Sequence, residues 1–86
     1  MKIKSGLILR SVGGENVVVP IGEMSKKFHG MITLNETGAF LWKFFAENHT
    51  QEEAVAALLA EYDVSEEIAQ KDVAKFVEAI SQGFAE

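Results

Sequence analysis

The sequence lacks cysteine altogether and has a single proline and two histidines. Without cysteine the chain can form neither a disulfide nor a thiolate metal site. No apolar run approaches the roughly 20 residues that a membrane-spanning helix needs. The N-terminal segment Met1–Gly6 has two lysines but no long apolar run after them, so it does not resemble a signal peptide. We therefore expect a soluble cytoplasmic protein that contacts no membrane.

The length and charge narrow the expected class of function. The 86 residues suffice for one domain spanning residues 1–86 and leave little room for an enclosed catalytic cleft. The net charge of −5 argues against a general affinity for nucleic acid. This charge is uneven, since residues 1–30 carry five basic and two acidic side chains whereas residues 31–86 carry three and eleven. A small binding module or accessory protein fits these properties better than a self-sufficient enzyme.

The first third of the chain has the pattern of short strands. The apolar run Leu7–Val12 is followed by a glycine-containing turn and by a second run, Asn16–Val19, which predicts a β-hairpin. The polar segment Glu23–His29 predicts a loop or a single turn. A third β-rich run, Met31–Leu34, follows Gly30.

From residue 35 the apolar period becomes helical. Asn35 is a good N-cap for a first helix, which we expect to extend to about Glu47. Thr50 and Glu53 match a capping box at the start of a second helix, and Ser65 caps a third. Gly83 is expected as the C′ residue of that third helix.

The second and third helices each have an apolar stripe. The stripe of the second helix is formed by Val55, Leu58, Leu59 and Tyr62. The stripe of the third helix is formed by Ala69, Val73, Phe76, Val77 and Ile80. Three amphipathic helices can cover one face of a three-stranded sheet. The sequence therefore predicts an α+β, winged-helix-like fold: a three-stranded antiparallel sheet followed by three helices.

Candidate catalytic and metal-binding residues are scarce. His29 and His49 lie in different predicted loops, without the spacing of a zinc site. The acidic residues cluster at helix starts, where they act as capping groups. Gly13-Gly14 joins two strands and so is not a phosphate loop. We expect no catalytic residue, no metal and no cofactor.

The aromatic run Phe40–Phe45 predicts a helix that is apolar around most of its girth. We expect Leu41, Phe44 and Phe45 to lie in the core. The alternative is that Phe40 or Trp42 protrudes as a contact for a partner or for a homodimer.

A winged-helix arrangement would place the last helix in a DNA groove. Residues 65–86 carry two lysines, five acids and no arginine. This excess of acidic residues disfavours phosphate contacts and guanine recognition, so no nucleic-acid partner is expected. A winged-helix DNA-binding or regulatory domain is kept as the alternative function.

The run Met31–Leu34 has neither proline nor a charged residue. If this run lies at the edge of the sheet, its free backbone groups can accept an added strand, and the side chains of an extended peptide could then lodge against the third helix.

The segment from Gly30 to Ala39, with Trp42, resembles the strand-to-helix signature of the PqqD-like family, named for pyrroloquinoline quinone synthesis protein D. Leu58–Val64 and Asp72–Phe76 are similar to the second and third helices of that family, so the resemblance covers about residues 7–84. It implies a non-catalytic element that binds the leader of a ribosomally made precursor peptide.

The resemblance also implies where such a leader binds and what receives it. The leader is expected to add to the third strand, to pack against the third helix and to be presented to a maturation enzyme, with a radical SAM enzyme as the expected kind. The strand residues so implied are Met31, Ile32, Thr33 and Leu34. The helix residues so implied are Lys71, Val73, Lys75, Phe76, Val77 and Ile80.

Overall fold

The first two strands form a hairpin whose loop consists of Gly13 and Gly14. In this computed structural model, which describes residues 1–27 and 32–86, β1 is Leu7–Val12 and β2 is Glu15–Pro20. The two loop glycines have φ angles of 58° and 84°. A two-residue hairpin turn with positive φ at both positions is the type that glycine favours, because a side chain would be strained there. The predicted hairpin is confirmed.

A third strand, β3 (Ile32–Leu34), pairs with β2 in antiparallel register, giving the sheet order β1-β2-β3. A single helical turn, α1 (Met24–Lys27), lies between β2 and β3, in the segment expected to be a loop or one turn. The predicted first residue of the third strand, Met31, falls in residues 28–31, outside the described residues, as does His29.

The remaining helices are α2 (Glu36–Phe44), α3 (Gln51–Glu61) and α4 (Glu66–Ile80), and each begins at its expected cap. The Asn35 side chain accepts a hydrogen bond from the Gly38 N–H, and Ser65 accepts one from Ile68. Thr50 and Glu53 form the complete capping box: the Glu53 N–H donates to Thr50 Oγ1 at 3.1 Å, and the Thr50 N–H donates to Glu53 Oε1 at 2.8 Å. These side chains satisfy amides that have no partner within the helix.

The α2 helix ends at Phe44, three residues before the expected end at Glu47. To continue the helix, the Phe45 carbonyl would have to accept from the His49 N–H. Instead it accepts from the Ile3 N–H at 2.9 Å, while the His49 N–H donates to the Met1 carbonyl at 3.1 Å. The α-helical pattern already ends at Ala46, whose N–H donates to the Lys43 carbonyl at 3.3 Å, and the N-terminal segment binds the backbone groups of Phe45 and His49 that follow.

That segment also reaches the other end of the chain. Ile3 forms an isolated antiparallel bridge with Ala85, and the Lys4 N–H donates to the Phe84 carbonyl at 2.9 Å. The turn into this pairing contains Gly83, which has a φ of 118° and follows the α4 cap residue Ser81 by two positions. Gly83 thus lies one position beyond the C′ position expected for it, because the cap is Ser81 and C′ is Gln82.

The core lies between one face of the sheet and the three long helices. Alternation along the strands puts Leu7, Val18 and Ile32 on the helix side, and all three belong to one apolar cluster with the helices. The buried members of this cluster that lie in the three long helices are Leu41, Trp42, Ala54, Leu58, Ala69, Val73, Phe76 and Ile80, and Phe45, directly after α2, joins them. The predicted fold class, an α+β sheet-and-helix domain of winged-helix type, is confirmed, with α1 as an added turn.

The alternative that Phe40 or Trp42 protrudes is not supported: Trp42 is only 5% exposed and packs within the core cluster, and Phe40 is half-buried against that cluster. One expectation about an apolar residue of α3 is wrong. Leu59, expected on the buried stripe of α3, is 39% exposed, because the buried face of α3 is the narrower one formed by Ala54 and Leu58. Of the other predicted core residues in the aromatic run, Leu41 and Phe45 are buried and Phe44 is half-buried. Within residues 1–27 and 32–86, no helix is long and apolar enough to cross a membrane.

Candidate functional site

The free edge of β3 presents the backbone of Thr33. The Ile21 N–H donates to the Gly6 carbonyl at 2.8 Å. Every second residue before it, Val19 and Val17, therefore directs its backbone N–H and C=O toward β1 as well. By alternation, Asn16 and Val18 direct theirs toward β3 and pair with Leu34 and Ile32. The N–H and C=O of Thr33 therefore point away from β2, and no strand of the described part of the chain pairs with them.

Beside this edge lies a groove, which we call the β3–α4 groove. It has a volume of about 390 Å³ and runs between α4 on one side and the end of β3 with the start of α2 on the other. Its lining residues are Thr33, Leu34, Asn35, Thr37, Gly38, Leu41, Asp72, Lys75, Phe76 and Ala79. An extended chain added to β3 would have its side chains beside this groove.

The floor of the β3–α4 groove is apolar and its α4 wall is charged. Leu41 and Phe76 are buried members of the core cluster, and Phe76 stacks on Phe45 with ring centroids 6.0 Å apart. Asp72 and Lys75 lie one turn apart on α4, with Asp72 half-buried and Lys75 exposed. A ligand can therefore place an apolar side chain on a rigid floor and meet one charge of each sign.

The start of α2 forms part of the groove wall and packs closely against the end of β3. Asn35 Oδ1 accepts from the Gly38 N–H at 2.8 Å and from the Thr37 hydroxyl at 3.2 Å, which holds the Asn35 side chain in place. Gly38 is buried, and a Cβ on it would lie 3.0 Å from Asn35 Oδ1 and 3.4 Å from the Leu34 Cβ. A side chain at position 38 would press on both the cap and the strand, so the glycine permits this close packing.

The structure distributes the sequence-predicted site residues among three environments. Four of them line the β3–α4 groove, namely Thr33, Leu34, Lys75 and Phe76. Four others are buried or half-buried against the core, namely Ile32, Val73, Val77 and Ile80. Lys71 is exposed and lies 3.7 Å from Glu67, one turn away on α4. Met31 lies outside the described residues.

Six lining residues escaped the sequence analysis. These are Asn35, Thr37, Gly38, Leu41, Asp72 and Ala79. The spacing of Asp72 and Ala79 from the predicted Lys75 and Phe76 follows one helix face, so helical periodicity could have identified them. The α2 residues carry no such signal, because only the fold brings the start of α2 against α4.

His49, the histidine that lies within residues 1–27 and 32–86, packs against aromatic and acidic side chains. Its ring stacks on Phe44 with centroids 4.0 Å apart, and its two nitrogens lie 3.9 Å from Glu47 and 3.5 Å from Glu53. The hydrogen bond from the Thr50 N–H, assisted by His49, lowers the pKa of Glu53 below its usual 4.5, although partial desolvation opposes the effect. Within residues 1–27 and 32–86 no three His, Asp or Glu side chains cluster as metal ligands.

Comparisons with known proteins find one matching family and two proteins of similar fold. The sequence model of the family described as coenzyme PQQ synthesis protein D (PqqD) matches residues 15–82. The fold is similar to TbiB1 in complex with the TbiA(beta) leader peptide, at 24% identity and a TM-score of 0.72, with both chains covered completely. It is also similar to lasso peptide synthetase B1 complexed with its leader peptide, at 18% identity and a TM-score of 0.71, with 98% of this chain and 93% of that chain covered. A search of curated proteins finds no match.

Proposed function

Because this chain belongs to the PqqD family, we propose that it is a recognition module for the leader segment of a ribosomally made precursor peptide. The observation that carries the proposal is the free edge of β3 beside the β3–α4 groove. Both structurally similar proteins were solved with a leader peptide, and this supports the same class of ligand here. We propose that residues 1–86 act together, since Ile3, near one end of the chain, is buried in the same core cluster as Ile80.

The leader adds to the sheet as a fourth strand next to β3. The N–H and C=O of Thr33 form the hydrogen bonds to its backbone, since the alternation along β3 leaves these two groups free. Backbone pairing of this kind supplies affinity without regard to sequence. The mode is thus suited to leaders whose sequence varies around a few anchor positions.

Selectivity arises in the β3–α4 groove. An apolar side chain of the leader rests on Leu41 and Phe76, beside Gly38. Asp72 and Lys75 bracket that position, and they favour a polar or charged neighbour of complementary sign. Val73 and Ile80 are buried in the core beneath the groove, and their packing keeps α4 at a fixed distance from the sheet.

We further propose that the chain catalyses no reaction itself and delivers the leader to a modifying enzyme, of which a radical SAM enzyme is the expected kind. Among the described residues no polar or charged side chain is buried, so this part of the chain has none of the desolvated acids or bases that enzymes use for proton transfer. The groove has the composition of a binding surface: an apolar floor and a polar wall.

The test is a titration of ¹⁵N-labelled protein followed by NMR. The probes are synthetic peptides translated from the short reading frames beside the gene of this chain, with the TbiA(beta) leader as a non-cognate comparison. We expect one cognate peptide to shift the amide signals of residues 32–38 and 72–79. If no peptide shifts them, or if the shifts of a bound peptide fall elsewhere, the proposed mode of binding is wrong.

A further inference from the structure

A second groove lies between α3 and α4, and Leu59 is its most unusual residue. Leu59 is 39% exposed, although a solvent-facing position on a short helix normally carries a polar side chain. The groove, which we call the α3–α4 groove, has a volume of about 240 Å³. Its lining residues are Glu52, Val55, Ala56, Leu59, Glu66 and Gln70.

The α3–α4 groove follows one face of α3. Glu52, Val55, Ala56 and Leu59 have the spacing of successive turns, so the groove is straight and about two turns long. Such a surface matches the ridge of another helix, and the volume accommodates one or two apolar side chains but no ordinary cofactor. Gln70 is held in the opposite wall, where its Nε2 donates to Glu66 Oε1 at 3.3 Å.

The charge around the α3–α4 groove has a single sign. Two carboxylates line it, those of Glu52 and Glu66, and no basic residue of the described chain does. The α3 helix itself contains three glutamates and no lysine or arginine. The two lysines of α4 are engaged elsewhere, since Lys71 lies 3.7 Å from Glu67 and Lys75 lines the β3–α4 groove. The complementary ligand is therefore basic.

The two grooves lie on nearly opposite faces of α4. At 3.6 residues per turn, the α4 residues of the α3–α4 groove (Glu66 and Gln70) are about 150° around the helix from those of the β3–α4 groove. A ligand in one groove thus leaves the other open, and an adaptor that holds a peptide and contacts an enzyme at the same time requires such an arrangement.

We propose that the α3–α4 groove docks an amphipathic helix of the modifying enzyme, with an apolar side chain against Leu59 and lysine or arginine residues facing Glu52 and Glu66. The identity of the partner rests on the proposed function. The chemistry of the docked segment rests on the groove alone: an apolar floor, a helical ridge pattern and an acidic rim.

The probe for this proposal is a synthetic 15-residue helical peptide with leucines along one stripe and lysines on both flanks, compared with an isomer in which glutamates replace the lysines. We expect the lysine peptide to shift the amide signals of residues 52–59 and 66–70, and its affinity to fall with salt. The Leu59→Gln variant should weaken its binding about fivefold, because the apolar anchor is lost. The matched control is Ile68→Gln, which removes another exposed apolar residue, on the opposite face of α4 and outside this groove, and it should leave binding unchanged.

Two further outcomes complete the test. Replacing Glu52 and Glu66 by glutamine should weaken the lysine peptide and flatten its salt dependence. Equal binding of both peptides, absence of binding, or an equal effect of Leu59→Gln and Ile68→Gln would overturn the proposal. Leader binding, measured on the Leu59→Gln variant, is expected to be unchanged, so failure of the leader titration and failure of the docking titration remain separate results.

Discussion

The backbone N–H of Thr33 is the group on which strand addition depends most directly, and replacing Thr33 by proline removes it. The substitution leaves the β2–β3 pairing intact, because the hydrogen bonds of that pairing are made by Ile32 and Leu34. Proline is tolerated on an edge strand when its missing N–H faces away from the sheet. Thr33→Pro should therefore fold and lose one hydrogen bond to the leader.

The expected loss follows from the exposure of the site. A net hydrogen bond contributes about 0.5–1.5 kcal/mol, and a buried partner left without one costs more. Thr33 is exposed, so water can reach the leader carbonyl that loses its donor. The range of about 0.5–1.5 kcal/mol therefore applies, and not the larger cost of a buried group without a partner. This corresponds to a rise in Kd of about two- to tenfold.

The measurement is fluorescence anisotropy of a labelled cognate leader titrated with each variant. Thr33→Val is the matched control, since it keeps the N–H and the β-branched side chain, and its Kd should equal that of the unmodified chain. Ile32→Pro tests the alternation itself: its N–H faces β2, so it should lower the thermal midpoint. A folded Thr33→Pro variant with unchanged Kd, or a Thr33→Val variant as weak as the proline, would refute the backbone geometry assigned to β3.

Three further predictions concern stability. Phe45→Ala removes a side chain that is fully buried and stacked on Phe76. The free energy of unfolding measured in urea should fall by about 3–5 kcal/mol, and a fall of less than about 1 kcal/mol would contradict the central position of Phe45. Gly14→Ala meets no neighbouring atom but must adopt a φ of 84°, so it should cost about 1 kcal/mol by the same assay, whereas an unchanged midpoint would argue against the assigned turn. The lowered pKa of Glu53 means that its charge stabilises the fold above the usual value of 4.5 and that this contribution is lost as the pH falls through the folded pKa. Between pH 7 and pH 3 the melting temperature should therefore fall less for Glu53→Gln, which can keep the capping hydrogen bond, than for the unmodified chain. Parallel curves of melting temperature against pH would contradict this.

Local signals in the sequence predicted the elements that depend on local chemistry. The Gly13-Gly14 turn and the caps at Asn35, Thr50 and Ser65 each act within four residues, so their patterns are visible in the chain. The early end of α2 was not predictable in this way, because the segment that follows it bonds to Met1 and Ile3, about 45 positions away in the sequence.

The candidate site was partly predictable for the same reason. The uncharged strand pattern points to Thr33 and Leu34, and the family resemblance adds Lys75 and Phe76. The resemblance does not separate a groove-lining residue from a core residue on the same helix, and so it also implied Val73 and Ile80, which are buried in the core. Gly38 contributes by having no side chain, and its effect is visible only where Asn35 and Leu34 approach it.

The pairing of the two chain ends has a consequence for the order of folding. The bridge between Ile3 and Ala85 closes a loop of nearly the whole chain, so it carries the largest loop-closure entropy and is expected to form after the hairpin and the helices. The segment Met1–Lys4 also bonds to Phe45 and His49, far from it in sequence, so its docking against the end of α2 is expected to be a late step of folding as well.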